Sequence, residues 1–156
     1  LPSLGRQHDD DDLAQPLDML APESFDVVLC ALAMHYVEDW GPTIREFHRV
    51  LKPTGCLVLS IEHPFFEYNF FRSSRYFDTE AVQCTWKGFG QPVEVHSYRR
   101  PLHACIAPLT ENGFWIDRLV EPKPTPEFEQ YDARHFKELN EFPSFMCIRA
   151  VRKRGL

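Results

Sequence analysis

The part of the chain that most constrains its fold is 25–64, FDVVLCALAMHYVEDWGPTIREFHRVLKPTGCLVLSIEHP, where two apolar runs flank one amphipathic segment. Residues 25–34 are apolar almost throughout, the pattern of a strand covered on both faces rather than one with a wet side. A helix is then predicted to open at Gly41-Pro42, with proline at its first position, where a missing N–H costs nothing. Its buried stripe is Ile44, Phe47, Val50 and Leu51, and it stops at Lys52-Pro53-Thr54-Gly55. The second apolar run is 56–61. Strand, crossover helix and strand at this spacing imply a right-handed parallel unit in an α/β sheet.

The 156 residues are enough for one domain with a sizeable core and too few for two. A 44% hydrophobic content fits a globular protein, and a net charge of -6 with pI near 5.6 argues against a general nucleic-acid binder, which needs a basic face. The basic run 152–154 reads as a solvated end. Cys30, Cys56, Cys84, Cys105 and Cys147 form no C-x-x-C pair and mostly sit in apolar patterns, so they read as small hydrophobes suited to a reducing cytoplasm. No run approaches the roughly 18 apolar residues of a membrane helix. The start, 1–5, has neither a basic leader nor a continuous apolar region, so no signal peptide is expected.

The acidic run 9–12 beside His8 lacks the spaced oxygen ligands of a calcium loop and reads as a solvated segment. From 65 to 100 the pattern turns irregular and aromatic, holding ten of the chain's 21 aromatic residues. A connection this long inside a compact α/β domain is uncommon unless it is a lid or binding loop; a satellite core packed on the sheet is the other reading. Gly88 and Gly90 supply bends, and 93–98 alternates as a short strand. A helix follows from Arg100-Pro101 to Asn112-Gly113, with Leu102, Ile106 and Leu109 as its stripe and a kink expected at Pro108. A strand over 115–120, a proline-rich loop, one short helix within 127–140 and a last strand over 145–151, antiparallel to its predecessor, complete the chain.

In an open α/β sheet, ligands bind beyond the carboxyl ends of the strands. That rule selects 30–36 and 62–66. His63, with an ordinary pKa near 6.5, is a candidate to remove a proton from an acceptor group, or else a structural residue hydrogen-bonded before Pro64. Glu62 would face the same pocket. Tyr68, Tyr76, Trp86 and Tyr98 join flat apolar faces to a polar tip and are candidates to hold a ring-bearing or amphipathic substrate. Arg72, Arg75, Arg99 and Arg100 are candidates to pair with its carboxylate or phosphate. No G-x-S-x-G elbow, H-E-x-x-H, P-loop or paired zinc cysteines occur, and the seven histidines lack ligand spacing, so no metal is expected.

FDVVLCALAMHYVEDW followed by FHRVLKPTGCLVLS resembles the fourth strand, following helix and fifth strand of class I S-adenosylmethionine-dependent methyltransferases, the RVLKPxG turn being the most specific element. The resemblance covers about 12–156 and leaves out the glycine-rich cofactor loop and the acidic end of the second strand. It implies a Rossmann-like methyltransferase sheet, incomplete at its N-terminal half, with an antiparallel last strand and an aromatic insertion at 65–100. It implies S-adenosylmethionine as cofactor, with Asp12 accepting from the adenine amino group, Leu13 offering its backbone N–H to the ring, Ala31 and Leu32 facing the methionine end, and His35 flanking it. His35 could equally cap or pack on the adjoining helix.

The expected function is therefore methyl transfer to a small-molecule acceptor, with no nucleic-acid or membrane partner, by a chain that is an incomplete enzyme. The strand at Phe25, without its missing neighbour, would present an open apolar edge that a second copy could cover. Two alternatives are a non-catalytic methyltransferase-like interaction module and a nicotinamide-dependent oxidoreductase on a related sheet.

Overall fold

The computed structural model describes residues 13–87 and 90–153. Asp12, Gly88 and Phe89 lie outside them, so the expectation for Asp12 at an adenine ring stays an expectation.

Strand β1 (Phe25–Ala31) leads through a 3-10 turn at Met34–Tyr36 into helix α1 (Trp40–Val50), which returns the chain to β2 (Leu51–Glu62). The two strands pair in parallel, with Cys30 opposite Leu59, as the crossover pattern predicts. The α1 start lies two residues ahead of the proline expected to open it. Asp39 is the N-cap and accepts from the Gly41 N–H at 2.9 Å, so Pro42 sits third in the helix, still among the positions whose N–H has no helical partner. The expected stripe is buried: Ile44, Phe47, Val50 and Leu51 are at most 3% exposed.

The KPTG stop lies within the recorded span of β2, not ahead of it. Pairing jumps from Phe25 with Leu51 to Val27 with Cys56, so 52–55 form an irregular entry to the regular strand. A Cβ on Gly55 would stand 2.9 Å from Leu51 Cδ2 and 3.1 Å from the Asp26 carbonyl oxygen, so the strand can close on β1 there only without a side chain.

The aromatic stretch is more regular than its sequence indicates. Helix α2 (Pro64–Phe70) starts with Pro64 in its first turn, and β3 (Glu80–Trp86) pairs antiparallel with β4 (Val93–Arg99) as a separate two-stranded sheet. Only β4 was expected from its alternation, although Val82, Cys84 and Trp86 of β3 also alternate with the polar Gln83 and Thr85.

Helix α3 (Leu102–Glu111) ends at Asn112 and at Gly113, whose φ of 87° suits glycine. Its buried side is Cys105 and Leu109. Leu102, expected on that stripe, is 39% exposed. After β5 (Phe114–Val120), a 3-10 turn at Pro126–Gln130 and helix α4 (Ala133–Glu141) occupy the region expected to hold one short helix. Strand β6 (Phe145–Arg152) then enters between β2 and β5, antiparallel to both, giving the order β1-β2-β6-β5.

The core lies on one side of this sheet. Ile44 and Phe47 of α1 and Cys105 and Leu109 of α3 meet Cys30, Leu57, Leu59, Met146, Ile148 and Ala150. On the opposite side Phe25, Val27 and Leu29 are 40%, 53% and 72% exposed. The expectation that β1 is covered on both faces is thus corrected: among the described residues the helices cover one face.

Candidate active site

The carboxyl ends of β1 and β2 lie side by side, and the chain is strained and pinned there. Leu32, one residue past β1, has a φ of 50°, a left-handed conformation that costs a leucine about 1–2 kcal/mol. Its N–H donates to the Ser60 carbonyl at 2.9 Å, so the tip of β1 stays bound to β2 as it turns away. The following turn is fixed by Trp40, whose indole N–H donates to the Met34 carbonyl at 2.7 Å. That turn buries His35, whose Nδ1 has no hydrogen-bond partner. Burial, and then the Arg100 charge, push its pKa below the ordinary imidazole value, so it is neutral at pH 7. Leu13 is tied to the same end of the sheet, its carbonyl accepting from Thr43 Oγ1 at 2.8 Å in the first turns of α1.

At the tip of β2, Glu62 is half-buried and burial raises its pKa. His63 caps α2. Its Nδ1 accepts from the Phe65 N–H at 3.1 Å, which leaves the ring proton on Nε2, 3.1 Å from Glu121 Oε1 beyond β5. Its own N–H donates to the Ser144 carbonyl at 2.9 Å. Both ring nitrogens are engaged, so in this arrangement His63 offers no free lone pair to an acceptor proton.

The β3–β4 hairpin roofs the two tips. Its inner face, with Cys84, Trp86, Val95 and Ser97, closes a pocket of about 140 Å³ whose floor includes His35, Glu62, Phe66 and Phe70. Of the four aromatic residues singled out from sequence, Trp86 is the one in this lining. Tyr98 pairs with Ala81 on the other face of the hairpin. Tyr76 accepts from the Leu102 N–H through its hydroxyl at 3.1 Å and meets Tyr68 edge to face at 5.5 Å.

Two of the four arginines offered for a substrate anion, Arg99 and Arg100, are committed elsewhere, and for these the expectation is corrected. Arg99 is fully buried. It donates to the Arg75, Tyr76 and Asp78 carbonyls at 3.0, 3.1 and 2.7 Å and to Glu80 Oε2 at 3.0 Å. Arg100 donates to the Val37 carbonyl at 2.6 Å and lies over the Trp40 ring at 4.6 Å. Arg75 pairs with Asp78, and Arg72 is exposed.

Sequence reasoning missed Glu67. It is a buried carboxyl in α2 whose Oε1 has no partner, and burial, reinforced by the Glu62 charge against the opposing Arg100 and Arg99, raises its pKa to about 8. An acid among the aromatics of PFFEYNF was the available signal, since such a residue must face solvent or give up its charge.

A parallel pair joined by a crossover helix, an antiparallel last strand between its neighbours and a pocket beyond the strand tips define the class I methyltransferase architecture. Residues 7–59 match a family described as a methyltransferase domain. An uncharacterized protein of Haemophilus influenzae is 28% identical over 153 residues, covering 86% of this chain and 58% of that protein. The fold is similar to a protein of Listeria monocytogenes assigned as an S-adenosylmethionine dependent methyltransferase, with TM-score 0.73 and 25% identity over 93% of this chain and 68% of that one. An S-adenosylmethionine dependent methyltransferase of Mesorhizobium loti gives TM-score 0.67 and 24% identity over 91% and 67%. The chain thus has the fold of class I S-adenosylmethionine-dependent methyltransferases and matches a methyltransferase domain over 7–59, and it spans 58% of the length of its Haemophilus relative.

Proposed function

We propose that this chain supplies the strand-tip part of a methyl-transfer site that takes S-adenosylmethionine as donor and a small molecule as acceptor. The observation that carries the reading is the pocket shared by His35 and Glu62 beneath the hairpin. Its groups fit the methionine end of such a donor: a half-buried carboxyl and aromatic faces suit a sulfonium cation, and the unpartnered His35 Nδ1 marks an unmet polar contact at the rim. When bound, the donor supplies an electrophilic methyl carbon. The chain's own share is to align the acceptor, exclude water under the hairpin and receive the acceptor's proton. His35, and Glu62 in its carboxylate form, line the pocket and can take it, while His63 holds α2 in place.

The five cysteines are free, which supports a reducing cytoplasm as the setting. Among the described residues no helix is long and apolar enough to cross a membrane. The test is titration of the isotope-labelled chain with S-adenosylhomocysteine, followed by amide NMR, which registers weak as well as tight binding. Shifts at 31–36 and 62–66 are expected. Saturating ligand with no shift there would overturn the assignment.

One observation favours a second reading, a non-catalytic interaction module. The open face of β1, with Val27 and Leu29 exposed, would be covered by a second copy or another partner. Concentration-dependent sedimentation without any response to S-adenosylhomocysteine would favour it.

A further inference from the structure

Behind the strand-tip pocket, α2 and α4 enclose a much larger cleft of about 920 Å³. Six phenylalanines line it: Phe65, Phe66, Phe70, Phe128, Phe142 and Phe145. Phe65, Phe70 and Phe142 are 45%, 57% and 58% exposed, although folding normally hides such side chains. The volume is within the roughly 300–1,000 Å³ range of small-molecule sites. The cleft adjoins the strand-tip pocket directly, because Phe66 and Phe70 line both, stacked 5.6 Å apart with their planes 22° from parallel.

The charges at the rim are paired with one another. Arg134 Nε lies 3.1 Å from Glu138 Oε1, and His135 is held by Asp132. Among the described residues lining the cleft no cation or anion is left unpaired to select a charged ligand, whereas the far end of the path reaches Glu62 and His35. We propose that the cleft holds the uncharged, apolar body of an amphipathic small molecule whose polar end passes Phe66 and Phe70 into the strand-tip pocket. This rests on the methyl-transfer reading, in which that molecule is the acceptor. Each ring in the lining offers apolar area to the body, and polar recognition is confined to the tip pocket.

The test uses the neutral fluorophore N-phenyl-1-naphthylamine on the whole chain. Saturable binding is expected, weakened at least about tenfold (about 1.4 kcal/mol) by Phe142→Asp and changed less than about twofold by Val27→Lys on the open sheet face. Phe70→Asp, also at an exposed position, serves as the second variant if circular dichroism shows the first unfolded. Displacement by 1-decanol at lower concentration than by decanoate or decyltrimethylammonium is expected. Binding lost in Val27→Lys and kept in both cleft variants, or either ion displacing better than the alcohol, would overturn the inference. S-adenosylhomocysteine shifts at 31–36 without cleft-dependent binding would refute this inference and leave the methyl-transfer reading standing. Cleft binding without those shifts would do the reverse.

Discussion

His63 and Glu121 are joined across two strand ends, with Nε2 3.1 Å from Oε1, while the other ring nitrogen caps α2. One side chain thereby fixes the end of β2, the start of a helix and the segment beyond β5. The arrangement separates a positioning role from a proton-transfer role for this histidine.

Removing the cap should cost about 1 kcal/mol. His63→Ala is expected to lower urea stability by that amount, and His63→Asn, which can still accept from the Phe65 N–H, to recover most of it. Burial holds the folded-state pKa of His63 below its unfolded value, with Glu121 opposing. The unfolded chain therefore binds more protons as pH falls below about 6.5, and stability is lost on acidification through that window. In His63→Asn this component of the slope should disappear. An unaltered acid slope would contradict the assignment.

Glu67 has the opposite sign. Its folded pKa, about 8, lies above the ordinary value of 4.5, so the folded chain retains a proton that the unfolded chain releases. Stability falls as pH rises from 4.5 towards 8. With each pKa unit worth about 1.4 kcal/mol, the cost approaches about 3 kcal/mol at pH 7. Glu67→Gln should therefore stabilise the chain at neutral pH, with the gain shrinking towards pH 4.5. Paired urea melts at the two pH values measure it, and a Gln variant less stable at both would refute it.

Arg99 is the buried fastening of the hairpin. Arg99→Met removes its hydrogen bonds to three carbonyls and its pairing with Glu80, and should cost about 3 kcal/mol or more. Limited proteolysis should then cut first within 71–79. Cleavage elsewhere at an unchanged rate would argue against this role.

Leu32 holds a backbone conformation that glycine adopts freely. Leu32→Gly should be more stable than Leu32→Ala by about 1 kcal/mol, because both lose the side chain and only alanine keeps the strain. Thermal melts of the pair decide it, and the reverse order would mean that the turn relaxes.

The crossover unit was legible because 25–34 and 56–61 are nearly continuous apolar runs on either side of an amphipathic helix, a combination with few packed solutions. Strand β3 was not, although Val82, Cys84 and Trp86 alternate with Gln83 and Thr85, because so short a run between turns carries little weight beside the long aromatic stretch around it. The strand-tip rule led to Glu62 and the family resemblance to His35, and the two line one pocket. Neither could reveal that Arg99 and Arg100 turn inward, because an arginine that satisfies carbonyls inside a fold has the same sequence signature as one that awaits an anion. The two offered roles of His63 were equally inseparable until Glu121, 58 positions away, came beside it.

The carbonyls gathered by Arg99 belong to the segment that feeds into β3, and the guanidinium itself belongs to β4. The canopy over the tips is thus stapled at its root to a single point. Loss of that one guanidinium would release the segment entering β3 and the base of the hairpin together.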